Sequence, residues 1–314
     1  MRPAPVGPSP PSPALEVLAT GPLVLIEDQG RPGHASVGVG HSGAADRSAH
    51  RLGARLVGND EHLASLEVLL GGLRVRARGR LTVAVTGASA PARVDDRPIG
   101  HASVVDLADG AVLSLGMPSV GVRTYLTVRG GIDVAPVLGS RSTDTLSGVG
   151  PPPVRVGDVL PVGPAGTTFP HVDHAAHPSH ALPWASGTGG VAELEVLPGP
   201  RSAWVGGWGS SLGGLLGTTW HVDGDSDRIG LRLRGSRVER AATHRDVELP
   251  SEGLVRGAVQ IPAGGTPVLF IADHPATGGY PVVAVLTASA IDRAAQLRPG
   301  DHVRLRPSRQ LTLP

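Results

Sequence analysis

Short apolar runs separated by glycine and proline are the feature that most limits what this chain can fold into. Examples lie at 23–27 (LVLIE), 81–85 (LTVAV) and 281–286 (PVVAVL). Of the 314 residues, 45 are Gly and 30 are Pro, and they divide the chain between such runs. Apolar runs of about four to eight residues bounded by turn residues are typical of strands. The sequence therefore predicts a mainly β protein with many turns.

Two segments break this pattern and are predicted to be helical. In residues 43–57, apolar positions recur at helical spacing, Ser42 is the predicted N-cap and Asp46 lies in the first turn. The second predicted helix, residues 289–298, begins at a Ser289 cap and ends before a Pro-Gly pair.

The length and the distribution of apolar runs predict two domains. At about 100 to 200 residues per domain, 314 residues suffice for two cores. Residues 163–190 are rich in Gly, Pro, His and Thr and lack a periodic apolar pattern, so they are the predicted linker. Residues 1–13 are predicted to be a disordered Pro-rich tail, which leaves domains at 14–162 and 191–314. Both domains open with Leu-Glu-Val-Leu, which leaves open whether one arose by duplication of the other.

Two missing residue types exclude several kinds of chemistry. The chain has no lysine, which excludes a P-loop, a Schiff base and covalently attached biotin. It has no cysteine, which excludes thiolate nucleophiles and cysteine zinc sites.

A net charge of +1 with two Tyr and two Phe argues against nucleic-acid binding. Because we find neither a signal peptide nor an apolar run of about 18 residues, we expect a cytoplasmic protein that does not enter the membrane.

Three motifs are weak on their own. Residues 38–43 fit G-x-G-x-x-G but lack the buried strand that precedes a dinucleotide fingerprint. An anion-binding role for this loop, without a dinucleotide-binding fold, is the alternative interpretation. Residues 209–213 fit G-x-S-x-G without flanking elements, which favours a mobile loop over a catalytic serine. Four histidines recur every third residue within 171–180, where a solvated linker is favoured over a metal site. We therefore predict no metal.

Two loops carry stronger signals. The loop at 28–33 (DQGRPG) follows an apolar run, and its Arg31 can pair with a carboxylate or phosphate; the alternative is a surface arginine near Asp46. The loop at 272–281 (ADHPATGGYP) has polar side chains and a Gly-Gly pair whose N–H groups can approach an oxyanion. Its alternative is a tight turn with a capping aspartate.

At these loops the chain resembles a known family, the C subunits of bacterial 5-oxoprolinase. This family is also called KipA, allophanate hydrolase subunit 2 and the biotin-dependent carboxyltransferase family. The resemblance covers about residues 15–306. It rests on segments at 28–59, 124–145, 225–235, 257–286 and 296–304. One departure is DHPATGGY at 273–280, where the family commonly has DRQTTGGY.

The resemblance implies a fold, a reaction and partners. The implied fold is two cyclophilin-like β-barrel domains with few short helices. The implied activity is ATP-dependent hydrolysis of 5-oxoproline to L-glutamate, in a complex with a KipI-like B subunit and the 5-oxoprolinase A subunit. ATP is the expected cofactor, held in part by those partners, and no biotin is carried on this chain. Two alternatives stay open: a KipA-like regulator that binds a KipI-like kinase inhibitor, and a biotin-dependent carboxyltransferase.

Motif position and side-chain chemistry together give the candidate site residues. The candidate anion-binding arginines are Arg31, Arg141 and Arg228. The candidate catalytic groups are Asp46, Glu67, Asp273 and Tyr280. The candidate groups that bind substrate by hydrogen bonds are Gln260, Gly278, Gly279 and Gln296.

Overall fold

The computed structural model describes residues 12–167, 169–170, 172–176, 190–208, 212–245 and 247–308. In this part of the chain, strands dominate and there are two α-helices, α1 (Arg47–Leu56) and α2 (Ala288–Ala294). The predicted mainly β fold with few short helices is confirmed. The strands divide between an N-terminal half, within residues 12–176, and a C-terminal half, within residues 190–308.

The N-terminal half consists of two sheets that enclose one core. Their orders are β11-β1-β4-β9-β6-β7 and β2-β3-β10-β5-β8, and the pairings within them are antiparallel. The strands are β1 Ala14–Ala19, β2 Leu23–Glu27, β3 Ser65–Leu69, β4 Arg74–Arg78, β5 Leu81–Gly87, β6 Ala92–Val94, β7 Arg97–Pro98, β8 Val104–Leu107, β9 Val112–Leu115, β10 Arg123–Val128 and β11 Val159–Pro161.

The C-terminal half is a closed seven-stranded barrel of order β12-β19-β16-β17-β14-β13-β20. Parallel pairing of β12 with β20 closes it, and a separate pair of short strands, β15 with β18, lies outside it. The strands are β12 Val191–Pro198, β13 Thr219–Val222, β14 Gly230–Arg234, β15 Glu252–Gly253, β16 Ala258–Gln260, β17 Val268–Phe270, β18 Thr277–Gly278, β19 Val282–Leu286 and β20 His302–Pro307.

Alternation along the strands explains why each half has its own core. On β4, Val75 and Ala77 are buried between the two N-terminal sheets, while Arg74 and Arg78 face solvent. The barrel interior is filled by aliphatic side chains around the fully buried Trp220. A sequence in which apolar and polar residues alternate favours a strand with one solvent-exposed face and one buried face.

Helix α1 begins later than the sequence predicts. Its N-cap is Asp46, whose Oδ1 accepts a hydrogen bond from Ala49 N at 2.9 Å, so the predicted range of 43–57 was wrong at its start. Ser42 is not the cap: it has a φ of 53° and donates its hydroxyl to Asp273 Oδ1 at 2.7 Å. Both Ser and Asp are good N-cap residues. The hydroxyl of Ser42 is instead bonded to Asp273, more than 200 positions along the chain, so Asp46 is the cap.

Helix α2 also differs from the prediction of 289–298. Thr287, not Ser289, is the N-cap, and its Oγ1 accepts from Ala290 N at 3.3 Å. The α-helix ends at Ala294, after which Gln296 turns its side chain into the N-terminal half.

The two halves meet at the N-terminus of α1. Asp292 of α2 accepts hydrogen bonds from Arg47 N at 3.1 Å and Ser48 N at 3.3 Å. These N–H groups lack partners within their own helix, and a carboxylate at a helix N-terminus is also favoured by the helix dipole. A side chain from the C-terminal half therefore completes the cap of a helix in the N-terminal half.

Much of the predicted tail and linker lies outside the described residues, as do His171, His177, His180 and residues 209–211. The described residues 172–176 lie against the N-terminal half: Val104 N donates to Asp173 O at 2.8 Å and Ala175 N donates to Ala102 O at 2.9 Å. In the described ranges, no group of three or more His, Asp or Glu is arranged to hold a metal ion. None of the helices found there has the length and apolarity needed to cross a membrane.

Candidate functional site

Arg228, just before β14, is the centre of a buried ion cluster where the halves meet. Its Nε donates to Asp273 Oδ2 at 2.8 Å and its Nη2 donates to Asp273 Oδ1 at 3.1 Å. Its Nη1 donates to Glu67 of β3, and Glu27 Oε1 lies 3.2 Å from Nη2. Arg123 Nε lies 3.3 Å from Glu67 Oε1. We call these five residues the Arg228 cluster.

The charges in this cluster balance if one carboxyl group is neutral. Burial raises the pKa of Glu27 well above its usual value, and repulsion by Glu67 and Asp273 opposes the attraction of Arg228. Burial also disfavours the charged forms of Glu67 and Asp273, but nearby guanidinium groups and hydrogen bonds outweigh it and lower both pKa values. Two guanidinium groups thus face three carboxyl groups, and Glu27 is the one whose pKa is raised.

Asp46 and Gln296 form a second buried link beside this cluster. Gln296 Nε2 donates to Asp46 Oδ2 at 2.7 Å, and its Oε1 accepts from Val122 N and Arg123 N, both at 3.0 Å. Tyr125 OH accepts from Asp46 N at 2.8 Å and donates to Glu67 Oε2 at 2.7 Å, which joins the two networks. Burial, followed by repulsion from Asp292, raises the pKa of Asp46 to about 7.

A groove of about 230 Å³ opens next to these networks, between residues 31–41 of the N-terminal half and residues 254–256 and 274–276 of the C-terminal half. Two arginines and three histidines line it together with small and apolar residues. We call it the Arg31–His274 groove; its polar side chains are those of Arg31, His34, His41, Arg256 and His274.

The two arginines of the groove each hold an unused donor. Arg31 is 1% exposed; its Nη2 donates to Ser142 O and its Nε to Val137 O at 3.4 Å. Arg256 Nη2 donates to Ala45 O and to Asp292 Oδ1 at 3.3 Å. Among the described residues, buried Arg31 Nη1 and Arg256 Nε have no hydrogen-bond acceptor. These two atoms are themselves closed to solvent, so they are costly buried donors, and it is the positive charge of the two guanidinium groups that favours an anion in the groove.

The histidines His41 and His274 are neutral near pH 7. Burial, together with the charges of Arg47 and Arg256, lowers the pKa of His41 to about 4. Burial likewise lowers the pKa of His274, with Arg256 acting in the same direction. The groove therefore combines guanidinium donors with neutral imidazoles, a set that can bind an anion and accept a proton.

Some of the predicted site residues meet in the buried networks, one lines the groove, and the rest lie elsewhere. Those that meet in the buried networks are Asp46, Glu67, Arg228, Asp273 and Gln296. Arg31 lines the groove, and it is buried rather than a surface arginine. The others lie outside both sets: Arg141 pairs with Asp133 at 2.8 Å, and Tyr280 is 45% exposed and accepts from Gln260 Nε2 through its backbone oxygen at 2.9 Å.

The predicted Gly278-Gly279 pair lies outside the groove, and neighbouring residues pack closely against Gly278. Gly278 lies on β18, opposite Glu252 of β15. A Cβ there would lie 2.7 Å from Gln260 Nε2 and 2.9 Å from Leu254 Cδ1, so a side chain would displace neighbouring groups. Gly279 has only Leu249 O near a Cβ position, at 3.6 Å.

Sequence reasoning missed Arg256, His41 and His274 as site residues. The two histidines stand inside the quoted motifs, and an imidazole flanked by Gly or Asp in a loop is a signal that could have selected them. Arg256 follows no motif, and only the fold brings it opposite Arg31.

A second cavity, of about 300 Å³, is lined by three members of the Arg228 cluster. Its wall combines leucines of β2 and β3 with Glu67, Arg123 and Arg228. The charged groups it reaches already pair with one another.

Two β-rich halves joined at a buried polar interface agree with the family that the sequence matches. The sequence model of the family described as carboxyltransferase domain, subdomain A and B, matches residues 37–307. The chain belongs to this family.

Particular relatives narrow this class. The chain is 34% identical to the C subunit of 5-oxoprolinase from Escherichia coli, over 92% of this chain and 89% of that protein. It is 28% identical to the protein of the same name from Haemophilus influenzae, over 92% and 90%. The predicted resemblance is confirmed. Saccharomyces cerevisiae urea amidolyase is 31% identical over 94% of this chain, which spans 16% of that protein.

Solved structures agree with the fold. The crystal structure of TTHA0988 matches 96% of this chain with a TM-score of 0.82 at 30% identity. The urea amidolyase of K. lactis matches 94% with a TM-score of 0.84 at 30% identity. This chain spans 57% of the TTHA0988 chain and 19% of the urea amidolyase chain.

Proposed function

We propose that the chain is the C-type subunit of an ATP-dependent 5-oxoprolinase, a cytoplasmic hydrolase that opens a cyclic amide and is active only in a complex. Its expected partners are a KipI-like B subunit and the 5-oxoprolinase A subunit, and its substrate is 5-oxoproline, converted to L-glutamate. Two relatives that are named as C subunits of 5-oxoprolinase support this proposal, because this chain spans about nine tenths of each.

One observation of the structure carries the proposal: two arginines, Arg31 and Arg256, line the groove from the two halves of the molecule. 5-Oxoproline is a carboxylate, and a carboxylate bound there would accept from both guanidinium groups. Hydrogen bonds to a charged group contribute about 1.5–3 kcal/mol each. A neutral substrate such as urea would leave this donor set without a charged acceptor.

The size of the groove supports the same substrate class. At about 230 Å³ it lies below the usual range of roughly 300–1,000 Å³ for small-molecule pockets. A five-membered lactam acid fits such a volume, whereas a whole nucleotide does not. ATP would therefore be held largely by partner subunits, and any contact with this chain would use arginine or backbone N–H groups, since the chain has no lysine.

The test is reconstitution with the neighbouring A and B subunits. We expect ATP-dependent release of glutamate from 5-oxoproline by the three-subunit complex and none when this chain is omitted. Release that does not depend on this chain would refute the proposal.

The family name and the urea amidolyase relatives favour one second candidate, carboxyl transfer from biotin. Biotin would have to arrive on a separate carrier because this chain has no lysine. The same complex supplied with a carboxylated biotin carrier and urea distinguishes the two. Transfer to urea, with no glutamate release from 5-oxoproline, would favour carboxyl transfer.

A further inference from the structure

Exposed large apolar side chains are concentrated in the segments that form the Arg31–His274 groove. In the described part of the chain, twelve large apolar side chains are exposed. Five of them lie in segments that form the groove or contact its walls, and we call them the groove-side residues: Val37, Val137, Leu138, Leu146 and Val255. Single exposed apolar residues are ordinary, whereas several beside one polar cavity mark an interaction surface.

Both halves of the molecule contribute to this set. Val37 belongs to the N-terminal wall of the groove and is 73% exposed, and Val255 lines the C-terminal wall and is 54% exposed. Leu146 follows Thr145, whose N and Oγ1 donate to Asp273 Oδ2 at 2.9 and 2.7 Å. Apolar surface is therefore open to solvent on the two walls that carry the arginines.

Leu138 is exposed in a turn with unusual backbone geometry. Val137 N donates to Ser140 O at 2.8 Å, and the two residues between them, Leu138 and Gly139, have φ values of 51° and 80°. Positive φ favours glycine or asparagine, because a larger side chain clashes with its own backbone. Val137 O also accepts from Arg31 Nε at 3.4 Å, so this turn holds an arginine of the groove. An exposed leucine in this conformation is not needed for packing, which favours a role in binding.

The proposed function requires a second protein at this place. The chain has no lysine for a P-loop, and the groove of about 230 Å³ does not hold a whole nucleotide, so ATP is carried largely by a partner. Atoms that react with each other must come within about 3–3.5 Å. A partner that brings ATP to a lactam in the groove must therefore lie against the segments that border the groove.

The charge of the groove argues against a second copy of this chain as the partner. Arg31 and Arg256 line the groove, and none of the described residues that line it is Asp or Glu. Twofold pairing of this surface with itself would place two positively charged grooves opposite each other, which is unfavourable. A second copy would also bring no lysine to bind the nucleotide.

We propose that the groove-side residues form the docking surface for the ATP-carrying partner subunit, an inference that rests on the proposed function. The partner surface that fits is apolar where it meets these side chains and has no positive charge where it faces the arginines. Bound there, the partner covers the groove, excludes water from it and places ATP beside the substrate.

The absence of cysteine from this chain allows a direct test. Leu138→Cys and Val255→Cys introduce one thiol each, and Met117→Cys, at a side chain 68% exposed outside these segments, is the matched control. Alkylation by N-ethylmaleimide is followed by mass spectrometry of this chain, alone and with the A or the B subunit. Photolabelling of the three-subunit complex with azido-ATP identifies the subunit that carries the nucleotide. At a partner concentration about tenfold above Kd, that subunit should slow alkylation at Leu138→Cys and Val255→Cys by about 10-fold and leave Met117→Cys unchanged.

The outcomes separate this inference from the proposed function. If the wild-type complex releases no glutamate, the proposed function fails. If the complex is active but the ATP-carrying subunit leaves both groove-side rates unchanged, or protects Met117→Cys equally, the inference is overturned. Protection that appears when this chain is concentrated alone would identify a second copy as the partner and also overturn it, as would azido-ATP labelling confined to this chain.

Discussion

Arg228 and Asp273 form a bidentate ion pair, with Nε to Oδ2 at 2.8 Å and Nη2 to Oδ1 at 3.1 Å, that is almost closed to solvent. Asp273 is the residue before His274, and it also accepts hydrogen bonds from Ser42 and Thr145 of the N-terminal half. The pair therefore fixes one wall of the Arg31–His274 groove and joins the two halves at the same place.

Replacement of Arg228 by Met should destabilise the fold strongly. It leaves Glu67 and Asp273 as buried carboxylates without their main cation, and breaking a buried pair in this way costs about 3–5 kcal/mol. Urea unfolding followed by tryptophan fluorescence measures the loss. Arg232→Met, at an exposed arginine of β14, is the control. A loss below about 1 kcal/mol would show that the cluster does not hold the halves together.

Asp46 should make the protein less stable as pH rises. Its pKa is about 7 in the fold against an ordinary value of 3.8, so the fold disfavours the charged form. The carboxyl group is neutral in the fold and charged in the unfolded chain between those values, and the stability it contributes falls as pH rises from about 4 to about 7. Asp46→Asn keeps a good N-cap and removes the titration. Between pH 5 and 8, wild type should lose at least about 1 kcal/mol relative to this variant; parallel curves would contradict the account.

Asp292 should matter to a helix in the other half of the molecule. Asp292→Ala removes the acceptor for Arg47 N and Ser48 N and one partner of Arg256. Loss of a helix cap costs about 0.5–2 kcal/mol, and we expect the upper part of that range. Asp292→Asn keeps one of the two acceptor oxygens and should lose less. Equal losses for the two variants would contradict a capping role.

Gly53 should not tolerate a methyl group, although it lies within a helix. A Cβ there would lie 2.4 Å from Thr127 Oγ1. Alanine is normally favoured over glycine in helices by about 1 kcal/mol, but overpacking costs about 1–3 kcal/mol, so Gly53→Ala should lower the melting temperature. Adding Thr127→Ala, which removes the contacting atom, should recover part of the loss. No recovery in the double variant would argue against this contact as the cause.

The sequence predicted strands well where apolar runs have clear ends. The predicted strand at 23–27 coincides with β2, the one at 81–85 lies within β5, and the one at 281–286 contains β19. Strands of two or three residues, such as β7 and β18, carry no periodic signal and were not predicted. Helix starts were misplaced because two suitable caps stand close together in the sequence.

The site was predicted in part, for a physical reason. Polar loops and motif residues drew attention to Arg31 and Asp273, but nothing local tells a buried arginine from a surface one. Arg31 is buried because its acceptors, Val137 O and Ser142 O, come from more than 100 residues away. Arg256 becomes a site residue only when the two halves meet. Such long-range pairings leave no pattern in a single sequence.

The most direct test of the central claim, that the groove binds an anionic lactam, uses substrate charge. In the reconstituted complex, kcat/KM for ATP-dependent ring opening is compared between 5-oxoproline and its neutral carboxamide, for wild type and Arg256→Gln, with Arg232→Gln as control. We predict that wild type and control favour the acid by about 10-fold or more, and that Arg256→Gln loses most of this preference while keeping its activity on the carboxamide. An unchanged preference in Arg256→Gln would contradict the account.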